Sequence, residues 1–281
     1  MRGRKPANTK PADAKKKRIL LNILMILCVG VFTGAVGTLA WTLWNSRQED
    51  NSFRKLAGII QTEAQRKEYG LENGTHGENK EGAEELEQVS DYAGVYALNH
   101  DFAAWIRING TVLDYPVMCS PYDPQYYIRR DFYGRNSISG TPFLGEGCNV
   151  ESLSVIVYGH NMKNGTMFGT LDKYSKADYW REHPMISFDT LKEEQQYDVF
   201  SVFQTRLYQE EGDSFPYYEY GGDISKEEYE SFVAQAREKS LYDTGIVPEY
   251  GEELLILSTC SYQADDGRFV VAARRRNLRQ N

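Results

Sequence analysis

The chain has 281 residues and a formal net charge of −8, a length that suits one domain of ordinary size plus additional segments. Residues 1–18 carry eight basic side chains and one acidic side chain, so this segment carries +7 and the remaining residues carry −15. Nucleic acid is therefore not expected as the partner of the main domain, because phosphate binding needs clustered lysine and arginine.

A membrane-spanning helix is the first element that the sequence predicts. No charged residue occurs between positions 19 and 46, and about 20 apolar residues are enough to cross the hydrocarbon core. Basic residues precede the run and two tryptophans lie near its end, which is typical of a helix with a cytoplasmic N-terminus. We predict a basic cytoplasmic tail at 1–18, a single-pass anchor at 19–44 and an extracellular remainder. A cleaved signal peptide is the alternative, although the apolar run is long for a signal core.

The segment 45–90 is predicted to be a helix followed by a polar stalk. An apolar stripe at helical spacing indicates an exposed helix over 48–70, and it consists of Phe53, Leu56, Ala57 and Ile60. Glycines interleaved with glutamates over 70–90 indicate a flexible connector rather than a core element.

Residues 91–281 form the predicted main domain, in which short strands rich in β-branched and aromatic residues alternate with turn residues. This spacing favours a mainly β fold with a closed or nearly closed barrel of about eight strands. The predicted strands are 104–108, 111–118, 141–144, 154–158, 196–207, 253–260 and 268–273. Helical segments are predicted at 165–175 and at 225–240, the second opening with the capping box Ser225–Glu228.

Three cysteines lie in the predicted extracellular part, and an odd number leaves at least one free thiol. Cys119 and Cys148 could pair with each other, but their spacing resembles neither a disulfide framework nor a CxxC metal site, so we expect a buried free thiol at each. Cys260 ends an apolar strand and is the candidate nucleophile, which needs a partner that handles protons. His160 follows another apolar strand directly, and Arg268 begins the strand after Cys260.

These three residues lie in segments that resemble the motifs of the sortase family. The resemblance covers about 190 residues, and its motifs occur in the family's order: 105–117, 158–168, 257–260 and 268–271. Ile256 stands where the family usually has threonine. The N-terminal helical region, the single anchor and the helix-bearing insertion before the cysteine strand are most similar to class B.

The resemblance implies a cysteine transpeptidase of Gram-positive cell surfaces. No metal-ligand spacing is convincing in the sequence, so we predict no catalytic metal and no cofactor. Cys260 would attack the carbonyl of a threonine in a C-terminal sorting signal, and His160 would act as general acid and base. Arg268 would stabilise the tetrahedral intermediate and favour the thiolate. The acceptor would be a peptidoglycan amine. Ser258, Thr259, Asn161 and Tyr220 are weaker candidates for substrate binding.

Hairpin geometry provides a check on this site. A loop centred on residue 264 places Cys260 opposite Arg268, whereas a two-residue turn at 266–267 places Cys260 near Ala273. The mechanism therefore predicts the wider loop, with its aspartates exposed. The other nearby arginines, at 274–276, are expected to be a solvated charge run.

Three alternative functions remain open from the residues. The first is an extracellular cysteine protease without an amine acceptor, and the second is a sortase that polymerises pilins. The third is a non-enzymatic adhesin that uses the barrel as a scaffold. Reaction with an added amine separates the first from a transpeptidase.

Overall fold

A computed structural model describes residues 11–68, 91–206, 215–260 and 266–276. The predicted stalk over 70–90 and the loop over 261–265 lie outside these described residues. The chain divides into two compact units, Met1–Asp50 and Asn51–Asn281.

The N-terminal helix α1 spans Pro11–Glu68. Its stretch Arg18–Thr38 has 21 residues and a mean hydropathy of 2.5, so by length and composition it is able to cross a membrane. In the later part of α1, the sequence correctly predicts a helix, but the prediction that it is exposed is wrong for its apolar stripe. Phe53, Leu56 and Ile60 are buried in the second unit, because their helical spacing presents one continuous apolar face that packing removes from water.

Eight strands form a closed barrel, as the sequence predicts. Their bounds are β1 Phe102–Arg107, β2 Asp114–Met118, β3 Phe143–Leu144, β4 Ser154–Tyr158, β5 Met185–Thr190, β6 Gln196–Arg206, β7 Leu254–Cys260 and β8 Gly267–Arg275. The order around the barrel is β1-β2-β3-β4-β7-β8-β6-β5. The β2–β3 and β4–β7 pairs are parallel, and the remaining neighbours are antiparallel. Closure pairs every strand on both sides, so the barrel has no free edge.

Short helices fill the connections between strands. They are α2 Ala93–Leu98, α3 Ala177–Glu182 and α4 Lys226–Glu238, with 3₁₀ helices at Tyr126–Arg129, Phe168–Ser175 and Tyr217–Tyr220. The predicted capping box is present at the start of α4, where Glu228 N–H donates to Ser225 Oγ at 3.2 Å and Ser225 N–H donates to Glu228 at 2.8 Å. The segment predicted as a helix at 165–175 is a 3₁₀ helix that begins at Phe168.

Candidate active site

Two parallel strands bring the predicted histidine and cysteine to one end of the barrel. Strands β4 and β7 pair in parallel, and their last paired residues are Tyr158 and Ser258. His160 and Cys260 each lie two positions further along. Because parallel strands end at the same edge of a sheet, both residues reach the same rim.

The third predicted residue lies across the next strand pair. Strands β7 and β8 pair in antiparallel register, with Cys260 opposite Arg268. This register confirms the wider loop and shows that the alternative two-residue turn is wrong. Asp266 is exposed at the end of the loop, with a φ of 55°, and Arg268 Nη1 donates to the carbonyl of Gly267 at 3.0 Å.

Cys260, His160 and Arg268 line one open cleft of about 610 Å³. Its remaining lining residues come from the segment after β2, from β3, β4, β7 and the loops beside them, and from the insertion after β6. They are Asp123, Pro124, Gln125, Ile128, Thr141, Phe143, Gly145, Glu146, Ile156, Tyr158, Gly159, Tyr217, Tyr218, Ser258 and Thr259. A groove this size that exposes a thiol, an imidazole and a guanidinium is suited to acyl transfer on a peptide.

The ring of His160 is oriented by a main-chain group. Its Nε2 lies 2.7 Å from the carbonyl oxygen of Ile128. Because a carbonyl only accepts, Nε2 carries a proton and Nδ1 is the accepting nitrogen of the neutral ring. Burial lowers the pKa of His160, and the nearby positive charge of Arg129 lowers it further against the opposing effect of the Ile128 hydrogen bond.

Exposure separates the candidate nucleophile from the other cysteines of the second unit. All are free thiols, but Cys260 is exposed while Cys148 is only 8 % exposed. Burial raises the pKa of both Cys148 and Cys119, which disfavours the thiolate that a nucleophile requires. Cys148 instead donates a long hydrogen bond to the carbonyl of Ser154, with a sulfur–oxygen distance of 3.7 Å.

Two of the four predicted substrate-binding residues line the cleft. Ser258 and Thr259 are mostly buried there. The Ser258 hydroxyl lies 2.6 Å from the hydroxyl of Tyr217, and Thr259 Oγ1 donates to the carbonyl of Gly159 at 2.7 Å. The hydroxyl groups of both residues are therefore already hydrogen-bonded within the protein.

Asn161 and Tyr220 do not line the cleft. Asn161 is buried and donates from Nδ2 to the carbonyl of Cys260 and to Asp172. The hydroxyl of Tyr220 contacts Ser231 and Gln235, which lie on α4. The hydrogen bonds of both side chains are therefore made within the protein.

The arginines at 274–276 are not the solvated run that the sequence suggests. Arg274 binds Glu252 through two hydrogen bonds of 2.9 and 3.0 Å, Arg275 binds Glu253 and Glu193, and Arg276 binds Asp198. Their side chains are 24–43 % exposed. The physical reason is register, since β8 passes beside acidic residues that precede β7 and that lie on β6.

Several wall residues carried no signal in the sequence. Ile128 reaches the cleft from the 3₁₀ helix at 126–129, and Glu146 follows β3. Among the described residues, no group of three or more histidine, cysteine or acidic side chains is arranged to hold a metal ion.

Comparison with protein families gives a consistent result. Residues 148–276 match the family described as the Sortase domain. Sortase B of Listeria monocytogenes is 25 % identical over 261 residues, which cover 92 % of this chain and 97 % of that protein. Sortase B of Staphylococcus aureus is 28 % identical over 181 residues, covering 63 % and 71 %.

Solved structures extend the likeness to three dimensions. Sortase B from Bacillus anthracis in complex with AAEK1 matches with a TM-score of 0.64 and 26 % identity, covering 83 % of this chain and 98 % of that one. The Staphylococcus aureus sortase B–substrate complex matches with a TM-score of 0.66, covering 84 % and 99 %. At 22 % identity this second likeness concerns the fold alone.

Proposed function

Because this chain belongs to the sortase family of cysteine transpeptidases and most resembles class B, we propose that it attaches a surface protein to the cell wall. The donor is a C-terminal sorting signal cleaved after threonine, and the acceptor is an amine of peptidoglycan. The observation that carries the proposal is that Cys260, His160 and Arg268 line one cleft, with Cys260 directly opposite Arg268 in the β7–β8 register.

Acylation begins at the sulfur of Cys260. The thiolate attacks the threonine carbonyl carbon, a tetrahedral intermediate forms, and the C–N bond of the scissile peptide breaks to leave a thioester. The departing amine takes a proton from the imidazolium of His160. Exposure of the thiol in an open cleft supports this assignment over the buried Cys148.

Arg268 is assigned the function of stabilising the negative charge that forms on the carbonyl oxygen of the intermediate. A guanidinium presents several N–H donors in a rigid plane and keeps its charge at every relevant pH. Its place across the strand pair from Cys260 supports a contact that strengthens as the oxyanion forms.

Transfer then regenerates the enzyme. The acceptor amine loses a proton to the neutral ring of His160 and attacks the thioester, the new amide forms, and the thiolate of Cys260 leaves. Burial and Arg129 lower the pKa of His160 and so favour the neutral ring, the form that this second half-reaction requires.

The location follows from the N-terminal segment. We assign the apolar stretch Arg18–Thr38 to an uncleaved membrane anchor, with the basic tail in the cytoplasm and the catalytic domain outside. This orientation would place the cleft on the side of the membrane where sorting signals and peptidoglycan meet.

The test uses the full-length chain in detergent micelles and a small library of internally quenched pentapeptides that contain threonine. We expect at least one peptide to be cleaved slowly in water, and an added peptidoglycan-type amine to convert the product into an amide. Cys260→Ala should abolish both reactions, whereas the control Cys119→Ala should retain them. Turnover that survives in Cys260→Ala, or a product that stays a free acid with every amine, would exclude the proposed transpeptidation.

A further inference from the structure

A buried amide connects the histidine loop to the main chain of the candidate nucleophile. Asn161 is 6 % exposed, and its Nδ2 donates to the main-chain carbonyl of Cys260 at 2.8 Å and to Asp172 Oδ2 at 2.9 Å. Both protons of the amide nitrogen therefore have acceptors within the protein. The cleft wall does not include Asn161.

The Asn161 amide links β4 and β7 beyond the point where their backbone hydrogen bonds end. The last backbone bond between the two segments runs from the N–H of Gly159 to the carbonyl of Ser258, at 3.2 Å. Thr259 Oγ1 then donates to the carbonyl of Gly159, and Asn161 donates to the carbonyl of Cys260. Side chains thus extend the parallel β4–β7 contact up to the nucleophile itself.

The loop that carries Asn161 is itself fixed at its far end. Asn161 forms an isolated bridge with Met167, which has a φ of 52° although it is not glycine. The N–H of Met167 donates to the hydroxyl of Tyr115 at 3.2 Å, and Asp172 lies on the 3₁₀ helix that follows. Asn161 is therefore fixed through its backbone by Met167 and through its side chain by Asp172. A residue that positions the Cys260 backbone must itself be held in place in this way.

We propose that Asn161 is a positioning residue which, with Asp172, fixes the backbone of Cys260 relative to His160. The inference depends on the proposed roles of Cys260 and His160, and it replaces the substrate contact that the sequence suggests for Asn161. Catalysis by a thiol and an imidazole on separate strands depends on their mutual geometry, and a displacement of about 1 Å can cost roughly 100-fold in rate.

The experiment measures kcat and KM of the full-length chain with the library pentapeptide that the wild type cleaves fastest. Asn161→Ala removes both donors, so kcat should fall roughly 10- to 100-fold while KM stays within about twofold. Alkylation of Cys260 by iodoacetamide should proceed at close to the wild-type rate, because the thiol stays exposed. The matched control is Asn164→Ala, whose side chain caps Thr166 in the same loop and does not contact Cys260; its kcat should equal that of the wild type.

A second pair of variants covers the case in which Asn161→Ala does not fold. Asp172→Asn keeps an oxygen that accepts from Asn161 and should retain most of kcat, whereas Asp172→Leu should lower it as Asn161→Ala does. A raised KM with unchanged kcat in Asn161→Ala would identify a substrate contact and overturn the inference. Wild-type kcat in Asn161→Ala, or in Asp172→Leu where Asn161→Ala is unfolded, would also overturn it. Failure of the proposed function looks different, since the wild type would then transfer no peptide at all.

Discussion

Opposing interactions set the pKa of His160. Burial and the positive charge of Arg129 lower its pKa, while the bond to the carbonyl of Ile128 favours the protonated ring. The proposed cycle uses both protonation states, the imidazolium for acylation and the neutral ring for transfer. The balance between the two half-reactions at a given pH therefore depends first on the burial of the ring and then on its two neighbours, the Ile128 carbonyl and Arg129.

Removing the charge of Arg129 should change the pH dependence of acylation. In Arg129→Gln the pKa of His160 rises, because one nearby positive charge no longer opposes protonation. The limb on which acylation is lost through deprotonation of His160 should then move to higher pH. Single-turnover acylation between pH 5 and 9 measures it, with Arg129→Lys as the control that keeps the charge. Coincident profiles for the Gln variant and the wild type would show that Arg129 does not act on the imidazole.

Single residues were predictable from the sequence where a strand pattern exposes them. Cys260, His160 and Arg268 each lie at or just beyond an end of an apolar run, so strand ends and motif order were enough to predict that these three residues share one cleft. Ile128 was not predictable, because its contact with His160 uses a main-chain carbonyl 32 positions away. The contacts of Asn161 with the Cys260 carbonyl and with Asp172 were not predictable either, since the direction of this side chain depends on the conformation of its loop.

At the scale of elements, the conformation of the 3₁₀ helix at 126–129, whose Ile128 carbonyl contacts His160, depends on one glycine, Gly140. Gly140 has a φ of 62°, and a Cβ added there would lie 2.5 Å from the carbonyl oxygen of Ile128 and 2.8 Å from that of Tyr127. Only glycine allows this close approach together with a left-handed backbone. The 3₁₀ helix at 126–129 is thereby set so that the Ile128 carbonyl reaches the imidazole.

Gly140→Ala should therefore reduce catalysis as well as stability. Strain in the left-handed region costs about 1–2 kcal/mol, and displacement of the Ile128 carbonyl should misplace His160 and lower kcat roughly tenfold or more. Gly245→Ala is the matched control, because Gly245 has a φ of 73° with nothing within 4 Å of the added Cβ. Thermal unfolding should show a loss in both variants, and peptide turnover a loss in Gly140→Ala alone. Equal turnover in the two would argue against a role for this turn in placing His160.

The sequence predicts some strands better than others, depending on how clearly their apolar residues stand out from the flanking segments. Strand β4 has the bounds predicted, because its apolar run is bordered by polar and turn residues. Strand β5 was missed, since its sequence from Met185 to Thr190 mixes polar and apolar residues that are nevertheless largely buried. Barrel closure, which pairs β5 with both β1 and β6, is a tertiary effect that outweighs local pattern.

At the scale of the whole molecule, the compact units do not follow the composition of the sequence. Composition places a change near residue 91, where the glycine- and glutamate-rich segment ends. In the structure the boundary between the two units lies at Asp50, because residues of α1 that follow Asp50 belong to the core of the second unit. Phe53 meets the ring of Tyr115 edge to face, with 5.3 Å between centroids. Tyr115 lies on β2, so this end of α1 packs against the barrel wall.

The buried stripe of α1 should accordingly contribute to the stability of the catalytic unit. Leu56 is fully buried, and Leu56→Ala should lower the free energy of unfolding by about 2–5 kcal/mol through lost apolar burial and the cavity left behind. Lys55→Ala, one position away and exposed, should change it by less than about 0.5 kcal/mol. Denaturant unfolding of the full-length chain, followed by tryptophan fluorescence, measures both. If Leu56→Ala unfolds at the same denaturant concentration as Lys55→Ala, α1 beyond Asp50 does not stabilise the barrel, and the segment acts only as a tether.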